Sequence, residues 1–525
     1  MAPLLFLPRV MVGVPGCMSR AQRLQRCYAT SRRRRHYSAA TSSSCVSDGT
    51  AIRSNSSNVL SSANVTDESI PPLESFSLFA SCLPGLEPIL YKELVDLGLE
   101  PEAPPATRSS RKQRWKAESS RDKDKDTAES SSLQAQVHSG AGGIGFTVRS
   151  VESILRCHLY LGTATHILLR CSQPFKARGM EELRRKVSKM LFWKQYLRGA
   201  NSNTGPKAPN LDIRVTASKS RLYHTAGIAE RVEQGVLGAL GVDPNESTSI
   251  HTIDDSEERK HQYPSVKLLV RVKNDYVQIS VDTSDTPLHR RGYRLQGAKS
   301  PLREDLAYGL LFGSGWRRHN YANNDEMLRF THLLDPCCGS GTIPIEGAAI
   351  AAGVPPGRLR SEPMSGSFLA DELLWKRLIS DAESNLKDVG STVCVFGSDR
   401  DRGAIAASNA NAERAGVSDL ITFKRCAITA CPWLSGRHGV DAATDGKLLI
   451  VSNPPFGKRS SANKDVYPLY RALAERYSSL DRGASLSVLA QNIDAVRKAT
   501  AGLHPHVLFS SRHGGLSVVA MHCVK

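Results

Sequence analysis

The stretch His332-Leu333-Leu334-Asp335-Pro336-Cys337-Cys338-Gly339-Ser340-Gly341-Thr342 decides how this chain is read. An apolar run ends on Asp335 and passes into a glycine turn. That pattern predicts a β-strand, a tight turn and a helix starting at Thr342, with missing side chains letting backbone N–H groups approach a ligand. A second stretch, Leu448 to Ser452 followed by Asn453-Pro454-Pro455-Phe456-Gly457, closes another apolar run with an amide side chain on a stiff Pro-Pro backbone. Ligands of open α/β sheets sit outside the carboxyl ends of the strands. Both corners are therefore expected to face one cleft.

Outward from these corners, strands are predicted at His332 to Asp335, Thr392 to Ser398, Ile421 to Arg425, Leu448 to Ser452, Ser485 to Leu489, His506 to Ser510 and Leu516 to His522. Helices over Thr342 to Ala352, Arg402 to Ala415 and Tyr467 to Arg476 alternate with them, which indicates a doubly wound α/β sheet. The last two strands are joined only by Ser511-Arg512-His513-Gly514-Gly515, a hairpin.

The preceding part reads as α+β. Strands are predicted at Phe76 to Ser81, Gly145 to Val148, Ile167 to Cys171 and Asp212 to Ala217, with a hairpin of Leu268 to Lys273 and Tyr276 to Asp282 around Asn274-Asp275. Helices are predicted at Leu86 to Leu97, Val151 to Tyr160, Met180 to Tyr196 and Gly227 to Leu240. Residues 100–140 lack apolar periodicity and read as a solvated insertion.

The net charge of +18 divides unevenly. Residues 1–66 hold nine Arg, no Lys and one acid, Asp48, for a balance of +8; the remainder carries +10, enough to favour a polyanion. An Arg-rich, Ser-rich, acid-poor start is the signature of an organelle transit peptide. Arg35-His36-Tyr37-Ser38-Ala39 has the form of a mitochondrial processing site, with a plastid address as the competitor. No run of eighteen apolar residues appears, so no membrane partner is expected. The twelve cysteines form neither a C-x-x-C pair nor a His/Cys cluster, which speaks against a structural metal.

The order D-P-x-C-G-S-G-T then N-P-P-F resembles the S-adenosyl-L-methionine-dependent methyltransferases that modify an exocyclic base amine. Phe76 to Gly98, Val215 to Val232 and Leu288 to Glu304 resemble the THUMP-domain RNA guanine-N2 methyltransferases, in particular the amino-terminal half of the bacterial 23S ribosomal RNA enzyme. The resemblance covers nearly everything after about residue 75. It implies a class I, Rossmann-like methyltransferase domain with a seven-stranded doubly wound sheet over 291–525, preceded by ferredoxin-like and THUMP RNA-binding domains over 75–290 and a transit and disordered segment over 1–70.

Cofactor contacts are then expected from Asp335, Pro336, Cys338, Gly339, Gly341, Thr342, Asp399 and Arg400, with the Asp399 carboxylate placed to bind both ribose hydroxyls. Asn453, Pro454, Pro455 and Phe456 are expected to hold the target amine, and Arg290, Arg291 and Arg294 to contact phosphate. The implied activity is N2-methylguanosine formation, expected in organellar large-subunit ribosomal RNA. The rivals are a transfer RNA substrate and a non-catalytic RNA-binding assembly factor.

Other chemistries fit less well. The turn lacks the third glycine of a dinucleotide fingerprint, and Gly457-Lys458-Arg459-Ser460 lacks the first glycine and the hydroxyl of a P-loop. Cys337 and Cys338 are expected to be small packing residues rather than nucleophiles. One departure from the family pattern is Ala427, where an acid beside the adenine amine is expected.

Overall fold

The computed structural model describes residues 75–101, 142–197, 210–242, 266–284, 286–295, 301–317, 330–361, 363–364, 369–387, 389, 392–434, 447–455, 466–480, 483–491, 493–500 and 502–524. All fall within the unit Ser69–Lys525. The expected transit segment, nearly all of the 100–140 insertion and Phe456 lie outside the described residues.

One sheet comprises β1 (Phe76–Cys82), β2 (Gly143–Val148), β3 (Ala164–Arg170), β4 (Phe175–Lys176), β5 (Leu211–Ser218), β6 (Val266–Lys273) and β7 (Tyr276–Asp282). Its order is β2-β1-β3-β7-β6-β5, with β4 on β7, and β5 with β6 is its parallel pair. Along β1 the buried residues Phe76, Leu78, Ala80 and Cys82 alternate with half-buried ones, as in a sheet with one face on the core. Asn274 (φ 52°) and Asp275 (φ 65°) both adopt the left-handed conformation, as a two-residue hairpin turn of the twist-matched type requires.

Helices α1 (Glu87–Asp96), α2 (Val151–Tyr160), α3 (Met180–Ser188), α4 (Phe192–Leu197) and α5 (Thr225–Leu240) accompany this sheet. The single helix expected over Met180 to Tyr196 is two. The Val187 carbonyl accepts from Met190 N at 3.2 Å in a tightened last turn and from the Trp193 indole at 3.0 Å, so the helix end is satisfied where the chain breaks.

The second sheet comprises β8 (His332–Asp335), β9 (Cys394–Asp399), β10 (Ile421–Arg425), β11 (Leu448–Ser452), β12 (Ser485–Ala490), β13 (His506–His513) and β14 (Leu516–Val524). Its helices are α6 (Glu304–Gly313), α7 (Thr342–Ala352), α8 (Glu372–Ser384), α9 (Arg402–Ala415), α10 (Tyr467–Ser478) and α11 (Ile493–Ala499). The order is β10-β9-β8-β11-β12-β14-β13, parallel except that β14 runs against both neighbours. Strand order reverses between β8 and β11, which pair directly through Leu448↔His332 to Ile450↔Leu334. The crevice at such a switch point is where ligands bind in open α/β sheets.

Helix α6 has no counterpart in the sequence reading. Every residue from Glu304 to Phe312 is buried, so no polar stripe marks its period. It packs at the seam between the two sheets. Gly162 lies so close to α6 that a Cβ there would sit 2.6 Å from the Tyr308 ring. One apolar core runs continuously from β1 residues through α6 to Val518 and Ala520 of β14.

Candidate active site

The glycine turn between β8 and α7 is bent by Gly339 (φ 54°) and Gly341 (φ 85°), conformations that side-chain-bearing residues rarely adopt. Gly341 also sits where a Cβ would press on Ser408 at 3.1 Å, whereas one at Gly339 would meet nothing within 4 Å. The turn is thus packed from behind and open in front.

Neighbouring elements hold its carbonyls and amides. Cys338 N donates to the Ser398 carbonyl at 2.9 Å, Ser408 Oγ donates to the Gly339 carbonyl at 2.8 Å and Asn411 Nδ2 donates to the Ser340 carbonyl at 3.0 Å. Ser408 and Asn411 are fully buried on α9 and were not singled out from the sequence. Their i, i+3 spacing is the only signal the sequence offers for them.

Asp399 reaches the turn from the end of β9. Its Oδ2 accepts from Gly339 N at 3.1 Å and its Oδ1 from Asp401 N at 2.9 Å. Helix capping falls to Asp401, whose Oδ1 accepts from Ala404 N at 2.9 Å. Arg400 is exposed, and its carbonyl accepts from Arg425 Nε at 3.1 Å.

Asp335 is 2% exposed. Its Oδ1 accepts from Cys337 N at 3.0 Å and from Ser452 Oγ at 2.9 Å. Burial raises its pKa to about 7, against the pull of these two hydrogen bonds, and the Asp399 charge adds to the rise. Burial likewise pushes the thiols of Cys337 and Cys338 well up, reinforced by Asp335 and Asp399, so neither is a thiolate near neutral pH. Pro336 and Thr342 are buried beside them.

Ser452 carries this contact to the second corner. Asn453, next in the chain, has a buried Oδ1 that accepts no hydrogen bond among the described residues. Pro454 is buried and Pro455 exposed. A buried acceptor without a donor costs about 1–3 kcal/mol, so the atom is placed for a donor that arrives from outside.

The basic run after β7 is corrected by the structure. Arg291 is 3% exposed; it donates to the carbonyls of Leu288 and Gly162 and lies 3.6 Å from Glu346 of α7. Arg294 pairs with Glu304 of α6. Both guanidiniums are spent inside the molecule, tying the seam to the helix that begins at the glycine turn, and are not available to phosphate here. Arg290 is exposed. Tyr293 Oη donates to Glu346 at 3.0 Å, and Arg414 Nε donates to the Tyr293 carbonyl at 2.7 Å.

The residues present fit S-adenosylmethionine. Two carboxylates border an open backbone turn at a helix start, with no lysine or arginine paired to either among the described residues. That suits a ligand bearing a sulfonium, an ammonium and a ribose diol. Asp399 would hold the diol and the turn the methionine end. Beyond β10, Ala427 is exposed and the half-buried Cys426 donates its N–H to the Asp399 carbonyl at 3.1 Å. Among the described residues no cluster of three or more His, Cys, Asp or Glu is placed to hold a metal ion, and no helix is long and apolar enough to cross a membrane.

A doubly wound sheet in this order, with an acidic turn at its switch point, is a class I methyltransferase-like α/β fold. Residues 291–502 match the UPF0020 family, described as an RMKL-like methyltransferase domain. The chain is a homologue of bacterial proteins named ribosomal RNA large subunit methyltransferase K/L. That of Marinomonas sp. (strain MWYL1) is 29% identical over 350 residues, 66% of this chain and 44% of the relative. The chain thus spans about half the length of the curated relatives it matches.

Solved structures share the fold. One, described as a possible methylase from Clostridium difficile 630, has a TM-score of 0.63 at 23% identity and covers 86% of this chain and 98% of its own. SMU.472, solved in complex with SAH, has a TM-score of 0.62 at 22% identity with the same coverage.

Proposed function

We propose that this protein is an S-adenosylmethionine-dependent RNA methyltransferase that forms N2-methylguanosine in organellar large-subunit ribosomal RNA. The carrying observation is the buried Asn453 Oδ1, which accepts no hydrogen bond among the described residues and lies one residue beyond the Asp335–Ser452 hydrogen bond. The homologous ribosomal RNA methyltransferases support the substrate class, and the THUMP-like sequence upstream supports RNA over DNA or protein.

An exocyclic base amine is a weak nucleophile because its lone pair is conjugated into the ring. Asn453 Oδ1 and the Pro454 carbonyl each accept one N–H of that amine, hold the nitrogen pyramidal and aim its lone pair into the cleft. The two fixed acceptors also stabilise positive charge developing on nitrogen. Pro454 and Pro455 keep the corner rigid, so positioning supplies much of the acceleration. When bound, the cofactor supplies an electrophilic methyl group in the same cleft. Arg290 is the remaining candidate for a phosphate contact beside the site.

The test supplies the purified full chain with labelled methyl donor and, separately, large-subunit ribosomal RNA and transfer RNA transcripts, followed by mass spectrometry of the nucleosides. N2-methylguanosine in the ribosomal transcript is expected. Label on adenine, label confined to transfer RNA, or no label would overturn the assignment. Residues 1–70 are assigned as a mitochondrial address; a reporter fused to them that stays diffuse in the cytosol, or enters plastids, would refute that part.

A further inference from the structure

We propose that Tyr470 is a further cofactor-binding residue, its hydroxyl the donor to the carboxylate at the methionine end of S-adenosylmethionine. The proposal rests on the cofactor reading of the glycine turn. It adds a side chain from the other face of the second sheet, since Ile343 and Ile345 of α7 belong to one apolar cluster and Tyr470 of α10 to another.

Helix α10 turns two tyrosines onto the sheet. Its buried residues Tyr470, Leu473, Ala474 and Tyr477 recur at i, i+3, i+4 and i+7, which is one face. Tyr477 lies where β12 begins, and its Oη donates to the Ala484 carbonyl at 3.2 Å and the Cys523 carbonyl at 3.3 Å. Its phenol is therefore satisfied inside the fold. Tyr470, two turns away on the same face, is 3% exposed, yet its hydroxyl makes no hydrogen bond among the described residues. A buried hydroxyl left without a partner is destabilising, which marks it for a partner that arrives from outside.

Helix α10 joins the parallel strands β11 and β12, so it runs against them and starts at their carboxyl ends. Seven residues of helix span about 10 Å, the rise of about three residues of strand. Counting from Ser485, that sets Tyr470 level with Val488, the register partner of Ser452. Side chains on a helix lean toward its amino end, so the phenol is directed at the crevice. Cys337 of the glycine turn packs against the same apolar cluster as Tyr470. Burial pushes the Tyr470 phenol well above its ordinary range and neighbouring Cys337 adds to the rise, so the group is a neutral donor near neutral pH.

The chemistry of the crevice selects the acceptor. Asp335 and Asp399 suit the sulfonium, the ammonium and the diol, but both repel the cofactor's own carboxylate. That group needs donors. An arginine beside the turn would supply them and would also pair off the two acids that the cations require. A neutral hydroxyl supplies a donor and leaves both acids available. The target amine, by contrast, brings donors and is met by the acceptors of Asn453 and Pro454.

The test is titration calorimetry of the full chain with S-adenosylmethionine and with decarboxylated S-adenosylmethionine, which differ only in the carboxylate. Tyr470→Phe should weaken binding of S-adenosylmethionine about 10- to 100-fold, the loss of one hydrogen bond to a charged group, and leave the decarboxylated compound unaffected. Without ligand its melting temperature should not fall, because the hydroxyl removed has no partner among the described residues. Tyr477→Phe, which strips a donor from two carbonyls, should melt lower and keep its affinity for both compounds. Equal weakening of both compounds by Tyr470→Phe, weakening of neither, or a lowered melting temperature would overturn the contact and leave the cofactor reading standing. Unchanged binding with slower methyl transfer to RNA would overturn it too and give the hydroxyl to the base. An unsubstituted chain that binds neither compound would overturn the contact and the cofactor reading together.

Discussion

Asp335 and Ser452, 117 residues apart in the chain, meet through a 2.9 Å hydrogen bond from Ser452 Oγ to Asp335 Oδ1. Each ends a strand, and the strands are neighbours at the reversal of sheet order. The bond therefore links the cofactor turn to the amide corner inside one buried contact.

Asn453→Ala removes the buried acceptor that receives no hydrogen bond among the described residues. Turnover should fall about 10²- to 10³-fold, the usual effect of losing one preorganised polar contact. Cofactor affinity by calorimetry should be unchanged, since the role proposed for Asn453 is to hold the amine. Turnover near the original rate would show that another group activates the amine.

Asp399→Ala should weaken cofactor binding by about 1.5–3 kcal/mol, the scale of a charge-assisted hydrogen bond. Titration calorimetry reads this directly. An unaltered dissociation constant would remove Asp399 from the ribose site.

Two buried carboxylates give stability a particular pH dependence. Burial raises Asp335 from 3.8 to about 7 and, in α1, Glu93 from 4.5 to about 7. In both the folded state holds its proton more tightly than the unfolded chain does. Their stabilising contribution is complete below pH about 4 and is lost as pH rises through about 7. Asp335→Asn should consequently melt progressively higher relative to the unsubstituted protein between pH 5 and 8. Parallel melting curves across that range would contradict the raised pKa. Cofactor cations favour ionised Asp335, so binding below pH 7 should release protons, detectable as a buffer-dependent heat.

Arg291 and Arg290, adjacent in sequence, should behave oppositely. Arg291→Ala strands Glu346 without its buried cation and should cost about 3–5 kcal/mol of stability. Arg290→Ala should leave the melting temperature in place and change only RNA affinity. Equal, small stability effects would mean that the seam does not depend on the buried pair.

The strands of the second sheet were legible as short β-prone runs, with His332 to Asp335 closed by its own Asp and Leu448 to Ser452 by Asn453. His332–Asp335, Ile421–Arg425 and Leu448–Ser452 fall where the pattern puts them. Helix α9 was equally legible, with Asp401 before it and Gly416 after it. Helix α6 was hidden because burial on all sides erases amphipathic period. Helix α8 was also missed, although Asp371 caps it through Leu374 N at 2.8 Å and its buried face carries Trp375, Leu378 and Ile379.

The fate of the basic stretch Arg290 to Arg294 was decided elsewhere. A run of arginines has the same sequence whether it faces phosphate or buried carboxylates, and the difference lies in Glu304 and Glu346, which the fold brings from α6 and α7. By itself the sequence determined the local elements, the glycine turn and the proline-stiffened amide, because backbone preference and apolar period act over a few neighbouring residues. Only the tertiary structure decided which acids meet which cations and that Ser452 closes on Asp335, because charge pairing and burial depend on distances in space that sheet order sets.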